Sequence, residues 1–167
     1  MTLWHWFYLL WLGAGALDFW LHRRSCIERT SGVRESALHL AQLAILGLGV
    51  VLWLLLPQST GLCVGLTILV VVHAVVGYWD TRVAFPRRTI TPLEQHVHSI
   101  MDIAPWVALA ATCWPMLSGT GLEPVPAPRP LSTWMFALLP AFLLGVVPAL
   151  FELLRCLKSA RLQREPG

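Results

Sequence analysis

Three times in this chain an acidic residue is followed by a histidine four positions later: Asp18 and His22, Glu35 and His39, Glu94 and His98. On a helix that spacing sets both side chains on one face. His73 and Asp80, seven apart, repeat the arrangement across two turns. Carboxylate and imidazole presented together are a donor set for divalent metal ions. Mixed oxygen and nitrogen ligation suits iron or manganese, and zinc is also accommodated, although a structural zinc site would more often use thiolates. Cys26, Cys63, Cys113 and Cys156 lack paired metal spacing and read as small apolar residues, with Cys63 and Cys113 near enough in depth to meet. The chemistry is also concentrated. All His but His5, and six of the nine acids, fall between Asp18 and Asp102.

The elements carrying these residues are apolar. Of 167 residues 56% are hydrophobic and 13% charged, with a mean hydropathy of +0.65, where soluble chains carry roughly 25% charged residues. Nine Trp suit the belts at membrane interfaces. Five stretches have the ~20 apolar residues that cross a bilayer: 3–21, 33–56, 61–79, 93–117 and 131–154. The expected fold is an all-α, polytopic transmembrane helical bundle of five spans in one domain, 1–167, with a four-helix metal-binding core.

Arginine sets the expected orientation. Arg23, Arg24, Arg29 and Arg34 lie in the first connection, Arg82, Arg87 and Arg88 in the third, and Arg155, Lys158, Arg161 and Arg164 in the tail. The second connection is uncharged and the fourth has only Glu123 and Arg129. Cationic loops stay in the cytoplasm. The N-terminus is therefore expected outside and the C-terminus in the cytoplasm of an inner (cytoplasmic) membrane protein. The net charge of +3 is topological bias and implies no nucleic-acid partner. The first stretch lacks a basic leader and a cleavage site and reads as a retained span.

At 1.5 Å per residue, His22, Glu35, Asp80 and Glu94 form a shallow ring at the cytoplasmic boundary. Asp18, His39 and His98 lie one turn deeper, with His73 and Asp102 deeper still. Two stacked layers of mixed ligands predict two metal ions bound by Asp18, His22, Glu35, His39, His73, Asp80, Glu94 and His98. Asp102 continues the His98 face and could orient a ligand from behind. Glu28 could fold over the site from its loop. His96 turns ~200° away from Glu94 and His98, and His5 is interfacial among Trp4 and Trp6. Four of these ligands have plainer competing roles. Thr91-Pro92-Leu93-Glu94 is a capping box, Glu35 could pair with a loop Arg, Asp80 with Arg82, and His22 could snorkel. Arg23, Arg24, Arg87 and Arg88 border the site and could hold an anionic lipid head or acyl carrier.

Acid and His ligands at the cytoplasmic ends of four spans resemble the integral-membrane non-haem di-iron enzymes, the fatty-acyl desaturase and alkane hydroxylase class. The resemblance covers Asp18 to Asp102. Those enzymes use HxxxH and HxxHH boxes, which this chain lacks; its carboxylate-rich set is closer in kind to ferritin-like di-iron bundles. The resemblance implies two iron ions, dioxygen, a cytoplasmic electron donor and a lipid-like or long-chain substrate that is hydroxylated or desaturated. Three other readings stay open from sequence. They are a haem-binding electron-transfer protein using His39, His73 or His98, a small metal or proton transporter, and a non-catalytic subunit of a larger complex.

Overall fold

In a computed structural model that describes residues 2–119 and 127–164, the chain is helical throughout, with no strand among those residues. Helix α1 spans Leu3–Arg24, α2 Val33–Leu55, α3 Thr60–Ala84 and α4 Pro92–Leu117. Beyond the fourth connection, α5 runs Leu131–Ala141 and α6 Val147–Leu162, joined through one π-helical turn at Phe142–Val146. Glu123 lies outside the described residues. Four helices are long and apolar enough to cross a membrane: α2, α3, α4 and the continuous Leu131–Leu162 rod. Helix α1 matches them in length, but four Trp, His5 and Asp18 dilute its apolar content.

Several helices outrun the expected spans. Helix α1 continues to Arg24, α3 to Ala84 and the last rod to Leu162, so His22 and Asp80 sit inside helices rather than at their ends. Polar residues extend the helices there because they are buried against partners and not released into a loop.

Burial is inverted relative to a soluble domain. Leu48, Ile68, Val72, Ile103 and Leu143 face outward, while Asp18, His22, Glu35, Glu94 and Glu152 are each 3% exposed or less. An apolar exterior around charged residues is what an oily surrounding favours. Helix α2 packs along α3, and α1 along α4, with α6 closing against α2.

The π-helical turn sets the last helix. Pro148 has no N–H to donate and its ring would crowd the carbonyl four residues back. The widened turn resolves this, with Val147 N–H bonding to Phe142 C=O. Gly145 lets α2 approach, since a Cβ there would come within 3.3 Å of the Leu43 side chain. One extra residue rotates all that follows by ~100°, which turns Glu152 into the bundle.

Candidate metal centre

Residues from five helices converge at the arginine-rich end of the bundle. Asp18 and His22 come from α1, Glu35 and His39 from α2, Asp80 from α3, Glu94 and His98 from α4, and Glu152 from α6. Two of the three groups sort by helix pair rather than in the stacked layers expected from depth, and the third, His22, His39 and Glu152, bridges α1, α2 and α6. Asp18, His22, Glu94 and His98 form one group, and Glu35, His39 and Asp80 another; in each, one donor atom per residue lies within 4.8 Å of the others. Ligands ~2.0–2.2 Å from a shared ion stand at most about 4.4 Å apart, so small inward shifts would complete either shell. The pairing of α1 with α4 and α2 with α3 explains the sorting.

Glu152 joins the two groups. The Nδ1–H of His22 donates to its Oε2 at 3.1 Å, and that of His39 to its Oε1 at 2.7 Å. A carboxylate on each Nδ1 fixes the proton there and aims each Nε2 inward, the arrangement that metal-bound imidazoles usually show. His22 Nε2 then faces Glu94 Oε1 at 3.4 Å, Asp18 Oδ2 at 3.5 Å and Glu35 Oε1 at 3.9 Å. It is fully buried and makes no hydrogen bond. His39 Nε2 faces Asp80 Oδ2 at 3.2 Å and Glu35 Oε1 at 4.0 Å. Asp18 Oδ1 lies 2.9 Å from His98 Nε2, yet it too is buried without a hydrogen bond of good geometry, as is Asp80 Oδ1. A buried unsatisfied polar atom costs about 1–3 kcal/mol. Of these atoms, those of His22 and Asp18 belong to one donor group and that of Asp80 to the other, so each group has a buried atom without a well-aligned partner.

The two imidazoles stack face to face, centroids 4.6 Å apart and planes 10° from parallel. Phe19 meets both edge-on and helps keep the site dry.

Arg88 enters this volume from the α3–α4 connection. Its Nη2 lies 2.5 Å from Glu35 Oε1 and its Nη1 2.5 Å from Glu94 Oε1, with Nε donating to both Glu35 oxygens. Burial opposes its charge, but the two carboxylates outweigh that and hold its pKa above the ordinary guanidinium value. Arg88 therefore faces inward rather than binding a head group. Glu35 pairs with a connecting-loop Arg and is also turned toward His39. Of the Glu94 capping box, the Thr91 half forms, Glu94 N–H donating to Thr91 Oγ at 3.2 Å, while the Glu94 carboxylate turns to Arg88.

Five buried carboxylates and one guanidinium leave four negative charges when the three imidazoles are neutral. Two divalent cations would cancel them; three imidazolium ions would leave one in excess. Uncompensated buried charge costs several kcal/mol.

Other expected residues lie elsewhere. His73 is 4% exposed but, seven residues from Asp80, sits ~10 Å further along α3 and joins neither donor group. Asp102 is exposed, with Oδ1 close to the position a Cβ on Gly77 would take, and does not back His98. Glu28 pairs with Arg155 at 3.5 Å instead of covering the site, and His96 is exposed. Arg24 stacks on Trp20 at 4.0 Å, and Arg23 and Arg87 are exposed. Glu152 is the participant that sequence reasoning left unassigned. Its signal was being the one acid of the fifth span, at matching depth.

Beyond His73 and Asp102, toward the other end of the bundle, lies an apolar cavity of about 470 Å³. Trp11, Val50, Leu69, Ala108 and Phe136 line it, and Val70 and Pro105 form its floor. Comparison of the chain with known protein families, with curated proteins and with solved structures returns no match.

Proposed function

We propose that this chain is a membrane-embedded, non-haem dinuclear metal oxidoreductase acting on a lipid-like or long-chain substrate. The observation that carries the reading is His22: its Nδ1 is held by Glu152 while its buried Nε2 faces three carboxylates without a hydrogen bond. A proton on that nitrogen would have ion-pair contacts of 3.4–3.9 Å but no aligned hydrogen bond, whereas a cation between nitrogen and carboxylates would meet all four groups at once. One ion would take Asp18, His22, Glu94 and His98, and the other Glu35, His39 and Asp80. Iron is the first choice for this donor set, then manganese or zinc. Such a centre would supply oxygen-dependent hydroxylation or desaturation, with electrons from a cytoplasmic donor. The chain's own part is to fix the ligands, exclude water and hold the substrate. Face-to-face packing of His22 and His39 disfavours haem between them, since axial imidazoles point their nitrogens at each other across a plane.

The topology proposed with this function has five spans in the inner membrane, α1 included, with the N-terminus outside and the arginine-rich end in the cytoplasm. The metal centre then lies just beneath the inner leaflet. The apolar cavity would receive the chain of the substrate; its floor at Pro105 lies seven residues, ~10 Å of rise, from His98.

Elemental analysis of the purified protein beside its absorption spectrum tests the reading. Two first-row metal ions per chain and no Soret band are expected. A folded, metal-free protein that takes up neither iron, manganese nor zinc would overturn it. Filling the cavity with Ala108→Trp should leave metal content unchanged while lowering turnover of long-chain substrates at least tenfold, measured as oxygen uptake. Unchanged turnover would place the substrate elsewhere.

A further inference from the structure

A second polar feature lies at the arginine-rich end, outside the carboxylate cluster. It is a cavity of about 380 Å³ between the α1–α2 connection, the α3–α4 connection and the end of α6. Arg29, Arg34, Arg87 and Arg164 line it, all exposed at their tips and none paired with a carboxylate among the described residues. Its one acidic wall residue, Glu28, is engaged by Arg155.

Two independent observations point to an anion. The cavity wall includes the start of α2, whose N-cap, Gly32, supplies no side-chain acceptor. The first-turn N–H groups of a 23-residue helix are thus open on that side, and such a terminus favours negative charge. Gly32 holds φ +60°, a conformation side chains rarely adopt, so the turn presents bare backbone there. The second observation is Ser31. It is 6% exposed, lines the same cavity, and its Oγ has no hydrogen-bond partner. Buried hydroxyls are nearly always hydrogen-bonded, and among the described residues Ser31 is the unpaired one that lines this cavity.

We propose that the Ser31–Gly32 turn, the start of α2 and these four arginines form a binding site for a phosphate group. It would come either from the head of an anionic lipid or from a free phosphorylated compound. Loop arginines alone would follow from membrane orientation, but that bias places no hydroxyl and no open helix end among them. The site shares no ligand with the metal centre and stands or falls separately from it.

The experiment compares wild type, Ser31→Ala, Arg29→Gln/Arg164→Gln and, as a charge-matched control outside the cavity, Arg23→Gln/Arg24→Gln. Each is reconstituted with phosphatidylcholine containing phosphatidylglycerol, and retained lipid is read by native mass spectrometry. Each is also placed in phosphatidylcholine alone, and stabilisation by inorganic pyrophosphate is read as a thermal shift. Retention of phosphatidylglycerol identifies a lipid head; a pyrophosphate shift without it identifies a free phosphate. In the responding arm, the double Arg variant should lose about tenfold or more in affinity. Ser31→Ala should lose severalfold, and the control should match wild type. No response in either arm with wild type overturns the proposal. So does an equal loss in the control, or a Ser31→Ala protein indistinguishable from wild type.

Discussion

His22→Ala and His39→Ala are each expected to lose the ion on their own side of the proposed metal centre, and Glu152→Gln to weaken both metals together by roughly 10–100-fold, the usual cost of losing a group that orients a ligand. The two histidines present Nε2 to different carboxylate groups, so each Ala variant should first lose the ion on its own side. Glu152 is not among the ligands proposed for either ion, but it holds both Nδ1 positions. Its loss frees both rings to rotate and lets the proton move to Nε2. The distinguishing result is therefore coupled loss in Glu152→Gln against one-sided loss in the histidine variants, read by metal titration monitored spectroscopically. Full metal occupancy in His22→Ala, or a Glu152→Gln protein that binds both ions as tightly as wild type, would sink the assignment. His73→Ala serves as the contrast. Its side chain belongs to neither donor group, and metal content should stay intact.

The difference between His73 and Glu152 marks how far sequence reasoning reaches. Acid–His pairs four apart share a helix face by geometry alone, which is why Asp18–His22, Glu35–His39 and Glu94–His98 were legible as a converging set. Depth along a helix was legible too, because rise per residue is nearly constant. Azimuth between helices was not. His73 and Asp80 share a face of α3, yet ten ångströms of rise take His73 out of reach. Glu152 depends on a π-helical turn that shifts the angular register of α6, and on Gly145 letting that helix close on Leu43. Neither effect appears in a hydropathy window. Arg88 was legible only as a loop cation. Its inward path depends on how the α3–α4 connection folds back, with Arg87 and Arg88 N–H both bonding to Ala84 C=O.

Arrangement by helix pair also has a consequence for assembly. Helices α2 and α3 are joined by the short 56–59 connection and bring Glu35, His39 and Asp80 together locally. The other group needs α1 to find α4 across the intervening chain, and Glu152 arrives last in sequence. The proposed dinuclear centre would tie the first, fourth and last helices to the central hairpin, so metal loading and bundle closure should be linked thermodynamically.

That linkage gives Arg88→Gln the second large expected effect, with opposite signs in the two forms. In metal-free protein, removing the guanidinium leaves Glu35 and Glu94 buried without their cation. Breaking such a pair from one side costs about 3–5 kcal/mol. For a chain of this size that corresponds to a melting decrease of order 10 °C. In loaded protein the two ions already neutralise much of the cluster, so the loss should be smaller. A variant destabilised more when empty than when loaded must, by the thermodynamic cycle, bind its metals more tightly than wild type. Melting Arg88→Gln with and without iron or manganese checks this directly. The metal-dependent increase in melting temperature should exceed that of wild type, and the triple variant Arg88→Gln/Glu35→Gln/Glu94→Gln should regain metal-free stability while binding metal poorly. If the cluster instead carries only protons and Arg88, the single variant melts low and no metal raises it. That outcome would reduce the five carboxylates to a structural charge network.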